Sequence, residues 1–69
     1  MALRLSTIEK VAREKGLVFI WDESLKCFVV RDKITGDHLM EYANITVSSI
    51  TNINVWREEF NKLKAQSFR

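Results

Sequence analysis

The sequence predicts an α+β fold: a single small domain ordered helix, strand, strand, strand, helix around a three-stranded antiparallel meander. Three observations carry this expectation. Two dense apolar runs, Leu17-Val18-Phe19-Ile20-Trp21 and Cys27-Phe28-Val29-Val30, and a weaker third, Leu39-Met40-Glu41-Tyr42, are separated by short polar turns. Amphipathic helical segments flank the three runs on both sides. With no proline, two glycines and no repeat or low-complexity stretch, nothing divides the chain, so residues 1–69 read as one domain with an ordered core over about residues 5–65.

The N-terminal helix is expected over residues 7–15. Ser6-Thr7-Ile8-Glu9 fits a capping box, in which the serine accepts from the backbone three residues on and the glutamate reaches back. Ile8, Val11 and Ala12 make a narrow apolar stripe, and Glu9 with Arg13 forms an i, i+4 pair on the other side. Gly16 follows where a positive φ closes a helix, and Leu17 beyond it can pack back onto Val11 or Ala12.

Both of the first two strands are apolar on both faces, whereas a sheet with one wet face alternates apolar and polar residues. The turn Asp22-Glu23-Ser24-Leu25 lacks the Asn-Gly or Asp-Gly signature that fixes a hairpin, so register stays open. A loop of two or four residues sets Phe19 against Phe28 and Trp21 against Lys26; a loop of three sets Phe19 against Cys27, and a one-residue slip exchanges the faces. The second turn, Asp32-Lys33-Ile34-Thr35-Gly36-Asp37, is better marked, because Gly36 can adopt the left-handed conformation of a longer hairpin loop with a bulge. The third strand is expected from His38 to Tyr42 or Ala43.

Residues 44–54, rich in Ser, Thr and Asn, read as a loop with a short extended piece at 45–47. The C-terminal helix begins near Asn52 or Asn54, either a good N-cap. Its stripe, Ile53, Trp56, Phe60 and Leu63, is stronger than that of the first helix, and Glu58 with Lys62 offers another i, i+4 pair. This helix should cover one face of the sheet. The N-terminal helix either covers the other face or sits beside it on the same one, which leaves a face open.

Composition bounds the function. Hydrophobic residues at 46% and charged residues at 29% are ordinary globular usage. A domain near this size buries only about 60% of its unfolded surface, so most large apolar side chains are needed for the core. Eleven Lys and Arg against nine Asp and Glu give a net charge of +2, with the signs interspersed, too mild to imply nucleic acid or membrane by itself. A single cysteine, Cys27, excludes an internal disulfide, and with the single His38 it falls short of a four-ligand zinc site. No apolar run approaches the roughly 18 residues of a membrane span and no signal-peptide block opens the chain, so a cytoplasmic protein is expected, and the Asn44-Ile45-Thr46 sequon is a chance match.

Chemistry is sparse. His38 has no nucleophile or carboxylate pattern beside it, Cys27 sits within an apolar strand, and Glu58-Glu59 opens a helix where its dipole favours negative charge. Neither glycine belongs to a phosphate-cradling motif. The expectation is a non-enzymatic binding module with no catalytic residue, cofactor, metal or small-molecule substrate. Lys26, Arg31 and Lys33 lie close in sequence with Phe28 and Phe19 among them, the combination in which cations meet phosphates and aromatics meet bases.

The run Phe28-Val29-Val30-Arg31-Asp32-Lys33-Ile34-Thr35-Gly36, followed by a short strand, a Thr/Ser-containing loop and an amphipathic helix, resembles the arm-site DNA-binding domain at the N-terminus of phage and transposon integrases. The resemblance spans residues 17–63. It implies a sheet backed by a C-terminal helix and inserted into the major groove of duplex DNA, with Lys26, Arg31 and Lys33 toward the DNA and Asp32, Thr35 and Gly36 shaping the turn. The chain departs from that family in its mixed-charge N-terminal helix, in its cation-free first strand and in Glu41 on the third. The other expectation is a protein-interaction or accessory protein of a phage or mobile element, binding a protein partner or a second copy as a homodimer. It would act through an apolar sheet face containing Val18, Ile20, Phe28 and Val30.

Overall fold

A computed structural model describes residues 3–67; residues 1, 2, 68 and 69, the ends of the expected domain, lie outside the described residues. The element order is α1 (Leu5–Glu14), β1 (Leu17–Asp22), β2 (Cys27–Asp32), β3 (His38–Tyr42), α2 (Asn44–Ser49) and α3 (Ile53–Ser67). The strands form one antiparallel sheet in the order β1-β2-β3. The α+β class and the helix-strand-strand-strand-helix order are as the sequence implies, with one helix more.

Helix α1 starts earlier than its capping box suggests. Arg4 is the N-cap and makes no side-chain cap, so Ser6 lies inside the first turn. Leu3 packs against the core just ahead of it, and that burial draws the helix start forward at the expense of the serine cap. The C-terminal end follows the sequence. Gly16 has φ +75° and donates its N–H to Arg13 O at 3.0 Å, turning the chain straight into β1.

The first hairpin pairs Asp22 with Cys27, Trp21 with Phe28 and Phe19 with Val30. The expected pairs, Phe19 with Phe28 and Trp21 with Lys26, are corrected by one step along each strand, because Lys26 stays in the turn with φ 57°. Asp22 builds that turn: its Oδ1 accepts from Ser24 N at 2.9 Å, Ser24 Oγ at 2.7 Å and Leu25 N at 3.1 Å. The facing of the side chains survives, since Phe19 and Phe28 share one face and stack at 5.0 Å.

In the second hairpin Gly36 takes φ +77° and donates to Asp32 O, while Asp32 Oδ1 accepts from Ile34 N and Thr35 N. The register shifts between Val30, opposite Met40, and Arg31, opposite His38, which leaves Leu39 unpaired as a bulge. Residues 44–49, expected as loop, form the short helix α2 instead. Its buried Val47 docks it onto the core, and that contact outweighs a Ser/Thr-rich sequence of low helix propensity. Asn52 then caps α3 by accepting from Asn54 N at 2.9 Å.

Both long helices pack on one face of the sheet. Ile8, Val11 and Ala12 from α1 and Trp56, Phe60 and Leu63 from α3 share a core with Leu17, Phe19, Phe28, Val30 and Tyr42. Phe19 meets Trp56 and Phe60 edge-on, and Tyr42 meets Trp56 likewise at 5.2 Å. The shortest extent of the backbone, 16 Å, is that of two layers. No helix of the described residues is long and apolar enough to cross a membrane.

Among the described residues one charge is buried, and it joins the second turn to the C-terminal helix. Asp32, 4% exposed, accepts at Oδ2 from Lys64 Nζ on α3 at 3.0 Å, while its Oδ1 closes the second turn. The Lys64 ammonium lies over Gly16, so helix end, turn and C-terminal helix meet at one point.

Candidate functional site

With both long helices on one side, the second face of the sheet presents Val18, Ile20 and Asp22 from β1, Cys27, Val29 and Arg31 from β2, and His38 and Glu41 from β3, by strand alternation and register. Val29 at its centre is fully buried although no helix covers it. Arg31 supplies the cover. Its guanidinium reaches Asp22 at 3.8 Å, and Asp22 pairs at the far end of β2, so the aliphatic stem runs along the face past Val29. The Arg31 Nε is buried without a hydrogen-bond partner, as expected of a guanidinium laid over apolar surface. On the β3 side His38 Nε2 sits 3.0 Å from Glu41 Oε2 and closes that flank.

The four residues expected to form one binding face are thus divided. Val18 and Ile20 lie on the second face, Ile20 at 44% exposure. Phe28 and Val30 point to the helices and are buried in the core, which corrects their assignment to the same surface; the physical reason is the period-2 alternation, which sends even-numbered β1 residues and odd-numbered β2 residues to one side.

The accessible apolar surface continues from Val18 and Ile20 around the outer edge of β1. There the backbone and side chains of Val18, Phe19 and Ile20 form the floor of a groove walled by Glu9 and Arg13 of α1 and by Lys33 of the second turn. Glu9 and Arg13 pair only at 3.8 Å, Arg13 largely exposed and Glu9 half-buried. Among the described residues β1 is an edge strand, bonded to β2 alone. Edge strands are normally blunted by a bulge, a proline or charge. β3 has a bulge, His38 and Glu41; β1 has none of these before its terminal Asp22.

The three cations do not converge. Lys26 sits in the first turn with its ammonium on Glu23, Arg31 lies along the second face toward Asp22, and Lys33 stands in the turn at the opposite end of the strands. The Asp22 carboxyl is held below its usual range by the Ser24 hydroxyl and the Leu25 N–H, with Arg31 adding less, and Glu23 is held down by Lys26 and Trp21. These carboxylates stay ionised beside the cations and offset their attraction for phosphate.

Cys27 is half-buried on the second face; its partial burial, then Glu41 and Asp22, push its thiol up, which keeps it protonated and a weak nucleophile. Among the described residues no three His, Cys, Asp or Glu side chains gather as a metal site.

The Glu9–Arg13 pair is legible in the sequence, but its place on the groove wall is not. The only signal was the short Lys15-Gly16 connection, which lays α1 back along β1. No protein-family model, curated protein or solved structure matches this chain, so the assignment rests on the geometry of the β1 edge.

Proposed function

We propose that this chain is a small non-enzymatic protein-interaction module that takes an extended segment of a partner along the outer edge of β1. One observation carries the reading: β1 is an edge strand with unpaired backbone on its outer side, an apolar side-chain surface at Val18 and Ile20, and none of the devices that blunt β3. Strand addition of this kind gains affinity from main-chain hydrogen bonds and specificity from alternate side chains. Burying Val18 and Ile20 contributes about 25 cal/mol per Å² of apolar area removed from water, so each adds on the order of 1 kcal/mol. The Glu9, Arg13 and Lys33 rim selects register rather than supplying affinity.

Duplex DNA bound through Lys26, Arg31 and Lys33, as in the integrase arm-site domains, is supported less well, because those cations are dispersed and two of them face carboxylates. The test is selection from a library of random heptapeptides, with I20K as counter-selection. Enriched strand-forming peptides that bind the native chain and lose affinity for I20K support the reading. Peptides that bind both equally, or a chain that enriches none while retaining duplex DNA at low salt, would overturn it.

A further inference from the structure

Resting on that reading, we infer that the occupant of the β1 edge is a second copy of this chain, joined β1 to β1 antiparallel about a two-fold axis at Phe19. The inference stands on charge order. In an antiparallel pair directly opposite residues point to the same side, so an axis at Phe19 sets Val18 of each copy against Ile20 of the other, and the exposed Ile20 is covered by the half-buried Val18 across the axis. The same operation sets residue 16 of one copy against Asp22 of the other. Lys33 N donates to Gly16 O at 3.0 Å, so Lys33 stands at that end of the groove and gains the second copy's Asp22 as a partner on the same face.

On the helix side, α1 runs back along β1, and its rise of about 1.5 Å per residue puts Glu9 and Arg13 about 6 Å apart, on either side of the axis. The two-fold therefore brings Glu9 of each copy to Arg13 of the other. Every charge on the groove wall is matched by its opposite in an isologous contact, where residue i meets j and j meets i. A uniformly acidic or basic peptide would leave either Glu9 or the Arg13 and Lys33 pair against like charge. The product is one continuous sheet with all four long helices on one side, and it leaves only the blunted β3 edges free.

The experiment is sedimentation equilibrium of the full chain at low ionic strength, using two charge reversals on α1. E9R places two cations on the wall and R13E two anions, so each repels its own copy. Each should self-associate about tenfold more weakly than the native chain, and an equimolar mixture should recover native-like association as a heterodimer. I20K, with its fold checked by circular dichroism, should be monomeric. A native chain that is monomeric at about 1 mM, or a dimer indifferent to E9R, R13E and their mixture, overturns the inference. A monomeric native chain that still takes a selected peptide, with amide shifts over residues 17–22, overturns only the second-copy occupant; a monomer that takes none overturns the strand-addition reading as well.

Discussion

Replacing Asp32 by Asn should cost this domain about 2–3 kcal/mol. Asp32 is 4% exposed; among the described residues its Oδ1 accepts from Ile34 N at 2.9 Å and Thr35 N at 3.1 Å, and its Oδ2 from Lys64 Nζ at 3.0 Å. Asparagine keeps an oxygen for the turn but turns an uncharged amide toward the ammonium. A charge-assisted hydrogen bond of this kind is worth about 1.5–3 kcal/mol, and stranding a buried charge costs more. Lys64 is 22% exposed at its side chain and can reach water, which discounts the penalty toward the lower end. D32A also removes both turn hydrogen bonds, at about 1 kcal/mol each, for a total near 4 kcal/mol. K64M should cost less, about 1–2 kcal/mol, because the carboxylate keeps its two N–H donors. For a domain of this size 1 kcal/mol shifts Tm by about 4–8 °C, so D32N should melt at least about 8 °C lower. Urea unfolding followed by the fluorescence of the fully buried Trp56 gives the free energies. The double variant D32N/K64M should fall short of the sum of the singles by about 1–2 kcal/mol. Additivity within about 0.5 kcal/mol would refute the account of Asp32 as the joint between the second turn and α3.

Other expectations follow from the same contacts. Tyr42 OH donates to Glu59 Oε1 at 3.3 Å, and burial, then Glu59, push its phenol well above its ordinary value. The fold thus favours the protonated phenol, so its contribution is complete below about pH 10 and is lost as pH rises beyond. Y42F should cost about 0.5–1 kcal/mol at neutral pH and show a flatter decline than the native chain above pH 10, read from urea midpoints across that range. Gly16 and Gly36 both sit at positive φ, but a Cβ on Gly16 would lie 3.2 Å from Lys64 Nζ, whereas one on Gly36 meets nothing within 4 Å. G36A should therefore cost about 1 kcal/mol from backbone strain alone and G16A more, by the same unfolding assay.

Much of the fold was legible because local chemistry and burial agree. Gly16 ends a helix by its φ, Gly36 shapes a bulged hairpin, and Trp56, Phe60 and Leu63 repeat at the spacing of a buried stripe. Where a tertiary contact competed with a local signal, the tertiary contact won: Leu3 moved the helix start ahead of Ser6, and Val47 turned a Ser/Thr-rich loop into α2. The hydrogen bonds of Asp22 and the left-handed Lys26 set a hairpin register that no Asn-Gly dipeptide announced. The candidate site was half legible. Alternation identified Val18 and Ile20 as neighbours, but an apolar stripe does not say which side of a sheet its helix will take. Phe28 and Val30 therefore read from sequence as part of one face with Val18 and Ile20, although they belong to the covered one. Nor does sequence reveal that Arg31 would lie along Val29, because that depends on the distance to Asp22 across two strands.

The most direct test of β1 as the edge through which two copies pair is a concentration series of ¹⁵N-labelled chain by NMR. As concentration rises from micromolar to millimolar, the amides of Val18, Phe19 and Ile20, with Glu9 and Arg13 on the helix above them, should shift together and saturate. Shifts centred instead on β3 and the turn of Lys26, or spectra that stay unchanged throughout, would contradict it.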